Sequence, residues 1–246
     1  MIRYQLLIEY VGTSFIGWQT QKKGKSIQKT IQNVLSNLLK EKISLHGSGR
    51  TDKGVHAMEQ SAHFDCQKKI VDINKLIKSL NYFLNKKKIS ILKIKQKKNN
   101  FHSRFSAKER VYLYLIRNNH SPSMLNHNRE WNIRKNLDIN LMKKGAKKLI
   151  GTHNFSTFRA SNCNSKNPIK TINNIQILKS NKQIKIRIKS QSFLKSQVRS
   201  IVGSLKYLSE KKWNLKKFDQ VFRSKNRKNC APLAPPHGLY LEKVKY

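Results

Sequence analysis

The sequence is poor in acidic side chains. It contains 12 Asp and Glu residues against 52 Lys and Arg residues, which gives a formal net charge of +40 at pH 7. Such an excess of positive charge repels itself unless a polyanion lies nearby, and nucleic acid is the default polyanion for a basic protein. The composition therefore predicts a partner made of RNA or DNA.

Cysteine is scarce, and long apolar runs are missing. The three cysteines, Cys66, Cys163 and Cys230, are far apart and show neither the spacing of a zinc site nor a disulfide framework. We therefore predict no metal and a cytoplasmic location. The longest apolar run, residues 112–116, has only the length of a strand. This predicts neither a membrane-spanning segment nor a leader peptide.

The apolar residues that are present recur at regular intervals, which predicts a folded α+β protein. In the first half the pattern predicts strands at 2–10, 43–45, 61–65 and 89–94, and helices that begin after Ser26 and Asp72. In the second half it predicts a strand at 111–117, a helix after Asp138, a hairpin of 172–178 with 184–188, helices at 198–208 and 215–222, and a closing strand at 239–244.

This order of elements predicts two similar split-βαβ halves of the ferredoxin or RRM-like type. The expected result is a mixed, mostly antiparallel sheet with a central active-site cleft. We place the N-terminal half at residues 1–105 and the C-terminal half at 106–246.

One glycine-rich stretch, residues 47–57, holds an acidic residue in basic surroundings. Asp52 follows Arg50 by two residues, and glycines stand at 47, 49 and 54. One interpretation is a tight turn over residues 51–54, because Asp and Gly are common turn residues. The other is a carboxylate presented by a rigid loop and kept ionised by nearby cations.

Residues 49–57, Gly-Arg-Thr-Asp-Lys-Gly-Val-His-Ala, resemble the signature loop of the tRNA pseudouridine synthase A family. Further segments resemble the same family in the same order, so that the resemblance spans nearly the whole chain. They are residues 10–12, 17–19, 101–107, Arg110 with Tyr112 and Tyr114, 155–159, 198–203 and 238–241. The resemblance also implies that the two halves arose by duplication.

The resemblance implies an isomerase that converts uridines 38–40 in the anticodon stem-loop of tRNA to pseudouridine, without a cofactor. It assigns Asp52 as the nucleophile and Arg199 as its basic partner, which would lower the carboxyl pKa. Tyr112 is expected to stack on the target base and to relay the C5 proton. A homodimer in which one tRNA touches both subunits is also implied.

Four further residues are predicted to bind the substrate. Arg50 is placed to enter the space that a flipped-out base leaves, or to hold a phosphate. Arg104, His56 and Leu239 are the other candidates, and His56 also fits a packed or capping histidine and Leu239 a pocket wall. Two of the assigned catalytic residues also have simpler interpretations. Arg199 also fits a solvent-facing arginine of a helix, and Tyr112 also fits a core residue of a strand.

The sequence departs from the family pattern at several positions. Lys53 stands in place of a small residue, Gln197 in place of Met, Ser200 in place of Asn and Lys170 in place of Arg. Residues 85–88 have also lost the usual Pro and Asp turn. These changes concern local packing and efficiency, because Asp52, Tyr112 and Arg199 are all retained.

Three alternatives remain open from the sequence. A basic, ribosome-associated RNA-binding module without catalysis would have the same charge and the same type of fold. A pseudouridine synthase of another family would act on ribosomal RNA. A metal-dependent nuclease would need a second carboxylate near Asp52, for which Glu59 and Asp65 are the candidates. The sequence also leaves open whether Asp52 attacks C6 of the base or C1′ of the ribose.

Overall fold

The protein is described by a computed structural model that covers residues 1–246. The chain divides into two compact units. Unit 1 contains residues 1–108 and 240–246, and unit 2 contains residues 109–239. The sequence prediction had placed the closing strand with the second half. The structure instead assigns the last seven residues of the chain to unit 1, because the closing strand pairs with a strand of that unit.

Unit 1 has the split-βαβ arrangement. Its elements in chain order are β1 (Ile2–Tyr10), α1 (Ile27–Leu39), β2 (His46–Gly47), β3 (His56–Cys66), α2 (Ile73–Leu84), β4 (Ile89–Lys97) and, from the end of the chain, β10 (Leu239–Lys245). β1 lies between β4 and β3 and is antiparallel to both, and β2 pairs antiparallel with β3. β10 is parallel to β3, with Tyr240 opposite His56.

The helices of unit 1 cover one face of its sheet. Every second residue of β1 from Tyr4 to Tyr10 is at most 2% exposed, as expected for a strand with one buried face. In α1 the buried stripe includes Ile27, Ile31 and Leu35. The predicted caps are confirmed, since the side chains of Ser26 and Asp72 accept hydrogen bonds from the backbone three residues on.

Two local predictions for unit 1 are wrong. Residues 43–45 form no strand, because α1 takes up their backbone groups: Ser36 Oγ accepts from the Ile43 amide, and Gln28 Nε2 donates to the Leu45 carbonyl. The apolar pattern of the helix after Asp72 also predicts that Phe83 faces inward, but Phe83 is 48% exposed and Leu84 takes the buried position next to it.

Unit 2 contains mostly antiparallel strands and three helices. Its elements are β5 (Glu109–Asn118), β6 (Trp131–Ile133), α3 (Ile139–Lys147), β7 (Gly151–Asn154), β8 (Ile169–Ser180), β9 (Gln183–Ser190), α4 (Gln197–Ser209) and α5 (Leu215–Arg223). The strand order is β5-β9-β8-β7, and β6 adds to β5 in parallel. The predicted hairpin is confirmed as β8 and β9, which turn at Asn181 with φ of +49°.

The α+β class and the mostly antiparallel pairing of strands are confirmed. The predicted cap at Asp138 is confirmed as well, because its side chain accepts from the Leu141 amide. No helix of the structure is both long and apolar enough to cross a membrane.

Candidate active site

The Asp52 loop, residues 48–55, is fixed in unit 1 on both sides of Arg50. On the N-terminal side, the Ser48 amide donates to the Ser61 carbonyl at 2.7 Å, and Ser48 Oγ donates to Gln60 Oε1 at 2.6 Å. Gln60 Nε2 in turn donates to the Gly49 carbonyl at 2.9 Å. Because these partners belong to β3 and are buried, the sheet itself holds this half of the loop.

The residue immediately before Asp52 is held just as firmly. Thr51 is 6% exposed, its hydroxyl lies 2.8 Å from Tyr10 Oη, and its carbonyl accepts from the Trp18 amide at 3.1 Å. Tyr10 ends β1, and Trp18 belongs to the segment that follows it. The segment at 10–18 therefore acts as a second support for the loop.

Asp52 begins a tight turn. The Val55 amide donates to the Asp52 carbonyl at 3.1 Å, and Gly54 has a φ of +79°, which side-chain-bearing residues adopt at a cost. The predicted turn is thus present one residue later than expected, at 52–55. The turn and the presented carboxylate are compatible, because the turn leaves the Asp52 side chain partly exposed while Thr51 and Val55 are buried.

Two glycines let the neighbouring segment approach the Asp52 loop. A Cβ on Gly17 would lie 2.6 Å from the Thr51 carbonyl oxygen, and one on Gly12 would lie 2.0 Å from the Val55 carbonyl oxygen. Only residues without a side chain fit at these distances. This contact is the physical reason for the glycines at 12 and 17.

His56 is packed inside unit 1. It is 1% exposed, its Nδ1 accepts from the Gly12 amide at 3.1 Å, and its ring stacks on Tyr240 at 4.8 Å. These contacts favour the packed histidine that the sequence left open. Its predicted role in substrate binding stays a prediction.

The other two candidates in unit 1 are exposed. Arg50 lies on the surface between the two fixed halves of the loop. Arg104 lies on a separate segment, with its guanidinium carbon 5.5 Å from the ring of Phe105. Lys53, one of the departures from the family pattern, is also exposed and adds a cation beside Asp52.

The carboxylates considered for a metal site have other partners. Asp65 pairs with Arg3 at 2.7 Å through both oxygens, which lowers the pKa of that carboxyl and raises the pKa of Arg3. Glu59 Oε1 lies 4.0 Å from Lys243 Nζ. The structure thus gives no support to a divalent site built from Asp52 with Glu59 or Asp65.

In unit 2, Tyr112 and Arg199 lie on different elements. Tyr112 is in β5 opposite Ile188, is 9% exposed, and meets the edge of Phe193 with centroids 5.1 Å apart. Arg199 is in the first turn of α4 and is partly buried, and its Nε donates to the Ala234 carbonyl at 2.8 Å. The predicted helix and strand that carry them are confirmed.

The segment at 231–238 holds α4 and β5 in place within unit 2. The Ala234 amide donates to the Arg199 carbonyl, so residues 199 and 234 are joined twice. A Cβ on Gly203 would lie 2.1 Å from the Pro232 carbonyl oxygen, and one on Gly238 would lie 2.7 Å from the Tyr114 ring. These close approaches fix the position of Arg199 and of Leu239, which is 6% exposed.

Tyr114 shows where the charge of Arg199 acts. Its hydroxyl donates to the Pro235 carbonyl at 2.8 Å, and burial raises its pKa well above the ordinary value, while the nearby Arg199 opposes that rise. Burial also lowers the pKa of His237, with further lowering from His127 and Arg199. Both neighbours are therefore neutral at pH 7, which leaves Arg199 as the charged member of the three.

The departures at 197, 200 and 170 have local partners. Gln197 Oε1 accepts from the Leu194 amide at 2.8 Å before α4, and Arg227 donates to Ser200 Oγ at 3.2 Å. Lys170 Nζ donates to the Asn167 carbonyl. Each of the three side chains thus has one hydrogen-bond partner in unit 2, but the buried Nε2 of Gln197 has none.

Unit 2 contains a basic pocket of about 270 Å³ that was not predicted from the sequence. Three of its lining residues are cationic, namely Arg159, Lys225 and Arg227. Arg159 lies in a segment that carries the family resemblance, but its cationic neighbours come from a loop more than sixty residues further on. No spacing rule connects the two segments, and the pocket became visible only in the structure.

A sequence model described as tRNA pseudouridine synthase matches residues 6–106 and again residues 146–246. The chain belongs to the tRNA pseudouridine synthase family. The two matches also confirm that the synthase consists of two similar halves, as predicted.

Two relatives named tRNA pseudouridine synthase A align with the whole synthase. The protein of Pelagibacter ubique (strain HTCC1062) is 61% identical over 246 residues and covers 100% of both chains. That of Methylocella silvestris is 41% identical over 247 residues and covers 100% of this chain and 99% of its own. These matches confirm the predicted enzyme class, an isomerase that makes pseudouridine in tRNA, over an RNA-binding module without catalysis.

The crystal structure of a Cbf5-Nop10-Gar1 complex contains a more distant match. It aligns with 82% of the synthase at 9% identity and a TM-score of 0.36, and the synthase spans about half (53%) of that chain. This similarity is too weak to support a conclusion.

Proposed function

We propose that this synthase isomerises uridines 38–40 in the anticodon stem-loop of tRNA, with Asp52 as the nucleophile. The observation that carries the proposal is the Asp52 loop, in which Thr51 and Val55 are buried and hydrogen-bonded while the carboxylate between them is partly exposed. The loop lies inside the first stretch matched by the family model.

The reaction needs no redox partner. The bond between N1 and C1′ of uridine breaks, a bond between C5 and C1′ forms, C5 loses a proton and N1 gains one, so that atoms and electrons balance. A positioned carboxylate can form the covalent intermediate through which the detached uracil is turned. Attack at C6 and attack at C1′ both fit a single aspartate.

The remaining roles follow the family resemblance. Arg199 is assigned to keep the Asp52 carboxylate ionised, and Tyr112 to stack on the target base and relay the C5 proton. The surface position of Arg50 supports its role in filling the gap left by a flipped base or in holding a phosphate. Arg104 and His56 are assigned to bind the substrate RNA, and Leu239 to line the base pocket.

We assign the synthase to a homodimer on the family resemblance, and to the cytoplasm on its few and widely spaced cysteines. The lack of disulfides supports the cytoplasm, because Cys66, Cys163 and Cys230 are all unpaired. The total charge of +40 supports a polyanionic substrate.

The test is the variant Asp52→Asn with unmodified tRNA transcript. We expect pseudouridine formation to fall by roughly 10³-fold or more, because an amide cannot serve as the nucleophile. Affinity for tRNA should stay within about 3-fold, because phosphate contacts supply most of it. The product is measured position by position in the RNA.

The control is Glu9→Gln, which removes one negative charge from an exposed residue of β1. It should keep the wild-type rate. Full activity of Asp52→Asn would remove Asp52 from the mechanism, and product confined to uridines outside positions 38–40 would overturn the anticodon assignment.

A further inference from the structure

Phe105 is the exposed aromatic residue that stands out in unit 1. Its side chain is 75% exposed, and it lies in the segment from Lys97 to Lys108, which contains four cations and no acidic residue. A single exposed apolar residue is common on protein surfaces. The surroundings of Phe105, however, differ from those of an ordinary exposed phenylalanine.

Two groups, an imidazole and a guanidinium, lie beside the Phe105 ring, which is still 75% exposed. The imidazole of His102 lies 4.3 Å from it at an interplanar angle of 36°, and the Arg104 guanidinium lies 5.5 Å from its centroid. Arginine over an aromatic ring, in a basic region, is the combination with which single-stranded nucleic acids are bound.

The turn that carries Phe105 is fixed by its own hydrogen bonds. His102 Nδ1 accepts from the Arg104 amide at 3.1 Å, and the His102 carbonyl accepts from the Ser106 amide at 2.9 Å. Ser106 Oγ closes the turn by accepting from the His102 amide at 2.9 Å. The ring is thus presented on a preorganised turn, so that little conformational entropy is lost on stacking.

The turn is also attached to the sheet of unit 1. Arg3 donates to the carbonyls of Asn99 and Phe101, both at 2.7 Å, and Tyr246 Oη donates to the Ser103 carbonyl at 2.8 Å. The Ser103 amide donates to His63 Nδ1 at 3.2 Å. These contacts come from β1, β3 and the end of the chain.

We propose that Phe105, with Arg104 and His102, forms a stacking platform for an unpaired base of the tRNA substrate. The proposal rests on the proposed function, because an anticodon loop provides such bases. The base would lie against the exposed Phe105 ring, while Arg104 contacts a phosphate beside it. Recognition would not depend on the identity of the base, since every base has a π face.

The test compares Phe105→Ala with Phe105→Trp and with Phe83→Ala, which removes another exposed phenylalanine of unit 1. For an unmodified tRNA transcript at fixed salt, Phe105→Ala should raise Kd about 5- to 150-fold, the range expected for loss of one stacked base. Phe105→Trp should bind within about 3-fold of wild type, because indole also stacks. Phe83→Ala should bind as wild type.

Two further measurements identify the ligand. The slope of log K against log salt should be the same for Phe105→Ala and wild type, whereas Arg104→Ala should reduce its magnitude by about 0.7, the loss of one phosphate contact in a single-stranded segment. A blunt RNA duplex without unpaired bases should bind Phe105→Ala and wild type equally. Circular dichroism and thermal melting establish that each variant is folded.

The inference is overturned if Phe105→Ala binds the transcript as tightly as Phe83→Ala does. It is also overturned if Phe105→Ala changes the oligomeric state in sedimentation while its affinity for the transcript is unchanged, because the ring would then contact a second copy of the chain. Failure of the proposed function has a separate signature. Wild-type protein would then make no pseudouridine at 38–40, while Phe105→Ala would still lose affinity for the transcript.

Discussion

At the scale of single residues, the Asp52 loop depends on positions that carry no chemistry. Gly12 and Gly17 lie outside the loop, yet their missing side chains let the segment after β1 reach Thr51 and Val55. Gly17 also has a φ of +118°, a conformation that favours glycine. Both the close approach to Thr51 and the backbone conformation therefore require glycine at this position.

We predict that Gly17→Ala lowers both the free energy of unfolding and the rate of pseudouridine formation, each for its own reason. A positive φ costs an alanine about 1–3 kcal/mol, and the added Cβ also meets the Thr51 carbonyl oxygen at 2.6 Å. The displaced loop should lower the rate of pseudouridine formation at least about tenfold, because a misplacement of 1 Å costs about 10²-fold. Urea unfolding and single-turnover rates measure the two effects.

Gly151→Ala is the matched control. Its φ of +106° imposes a similar strain, but the nearest atom to an added Cβ is His153 Nε2 at 3.3 Å, in unit 2. It should lose stability and keep the rate of the folded enzyme. Equal rates for the two variants would mean that the Gly17 contact does not position Asp52.

At the scale of elements, three histidines meet where β2, β3 and the turn with Phe105 come together. The rings of His46 and His102 lie 5.1 Å and 4.5 Å from that of His63, which is 2% exposed. Burial, together with His102, Arg3 and His46, lowers the pKa of His63 to about 4, and Asp65 opposes this only weakly.

This cluster predicts a loss of stability in mild acid. His63 is neutral in the folded protein, so between pH 6.5 and 4 the unfolded chain binds more protons than the folded protein does. The free energy of unfolding therefore decreases as the pH is lowered through this range. The loss at pH 4 should be roughly 3 kcal/mol from His63. Below that range the lowered pKa of Asp65 adds to it, because its pairing with Arg3 is lost on protonation.

His63→Asn should flatten the pH dependence of the free energy of unfolding between pH 6.5 and 4, because Asn does not titrate in this range. The amide oxygen of Asn can still accept from the Ser103 amide, so the variant should fold. His120→Asn, a change to an exposed histidine of unit 2, should leave the pH dependence unchanged. Urea titrations at several pH values give the free energies. A wild-type stability that does not fall between pH 6.5 and 4.5 would contradict the prediction.

The elements that the sequence predicted correctly are those with local signals. Ser26, Asp72 and Asp138 cap helices through bonds to residues three positions away, and the turn at Asn181 joins adjacent strands. The prediction of a strand at 43–45 is wrong because side chains of α1, which lie outside the strand pattern, form hydrogen bonds with the backbone of these residues. In the same way, the approach of Gly17 to Thr51 crosses 34 positions and leaves no periodicity to detect.

At the scale of the whole molecule, the excess of 40 positive charges opposes compaction. Screening by salt weakens this repulsion, since the Debye length falls from about 30 Å at 0.01 M to about 3 Å at 1 M. The same charge attracts tRNA, so stability and substrate binding respond to salt in opposite directions.

We predict that Tm rises when NaCl is increased from 20 mM to 500 mM, and that tRNA raises Tm strongly at 20 mM but little at 500 mM. Binding to the folded state stabilises it, and this binding weakens steeply with salt. Differential scanning fluorimetry measures both effects, with neutral dextran as the control polymer. A Tm that falls with added NaCl would show that the net charge does not limit stability.

The return of the last strand to unit 1 has a consequence for synthesis of the protein. During translation, residues 1–108 leave the ribosome first, yet their unit waits for residues 240–246, which are made only after all of unit 2. Until then β3 lacks the pairing of His56 with Tyr240, and Ser103 lacks Tyr246. A nascent or truncated chain that stops before Tyr240 therefore lacks the ring that stacks on His56, four residues after Asp52.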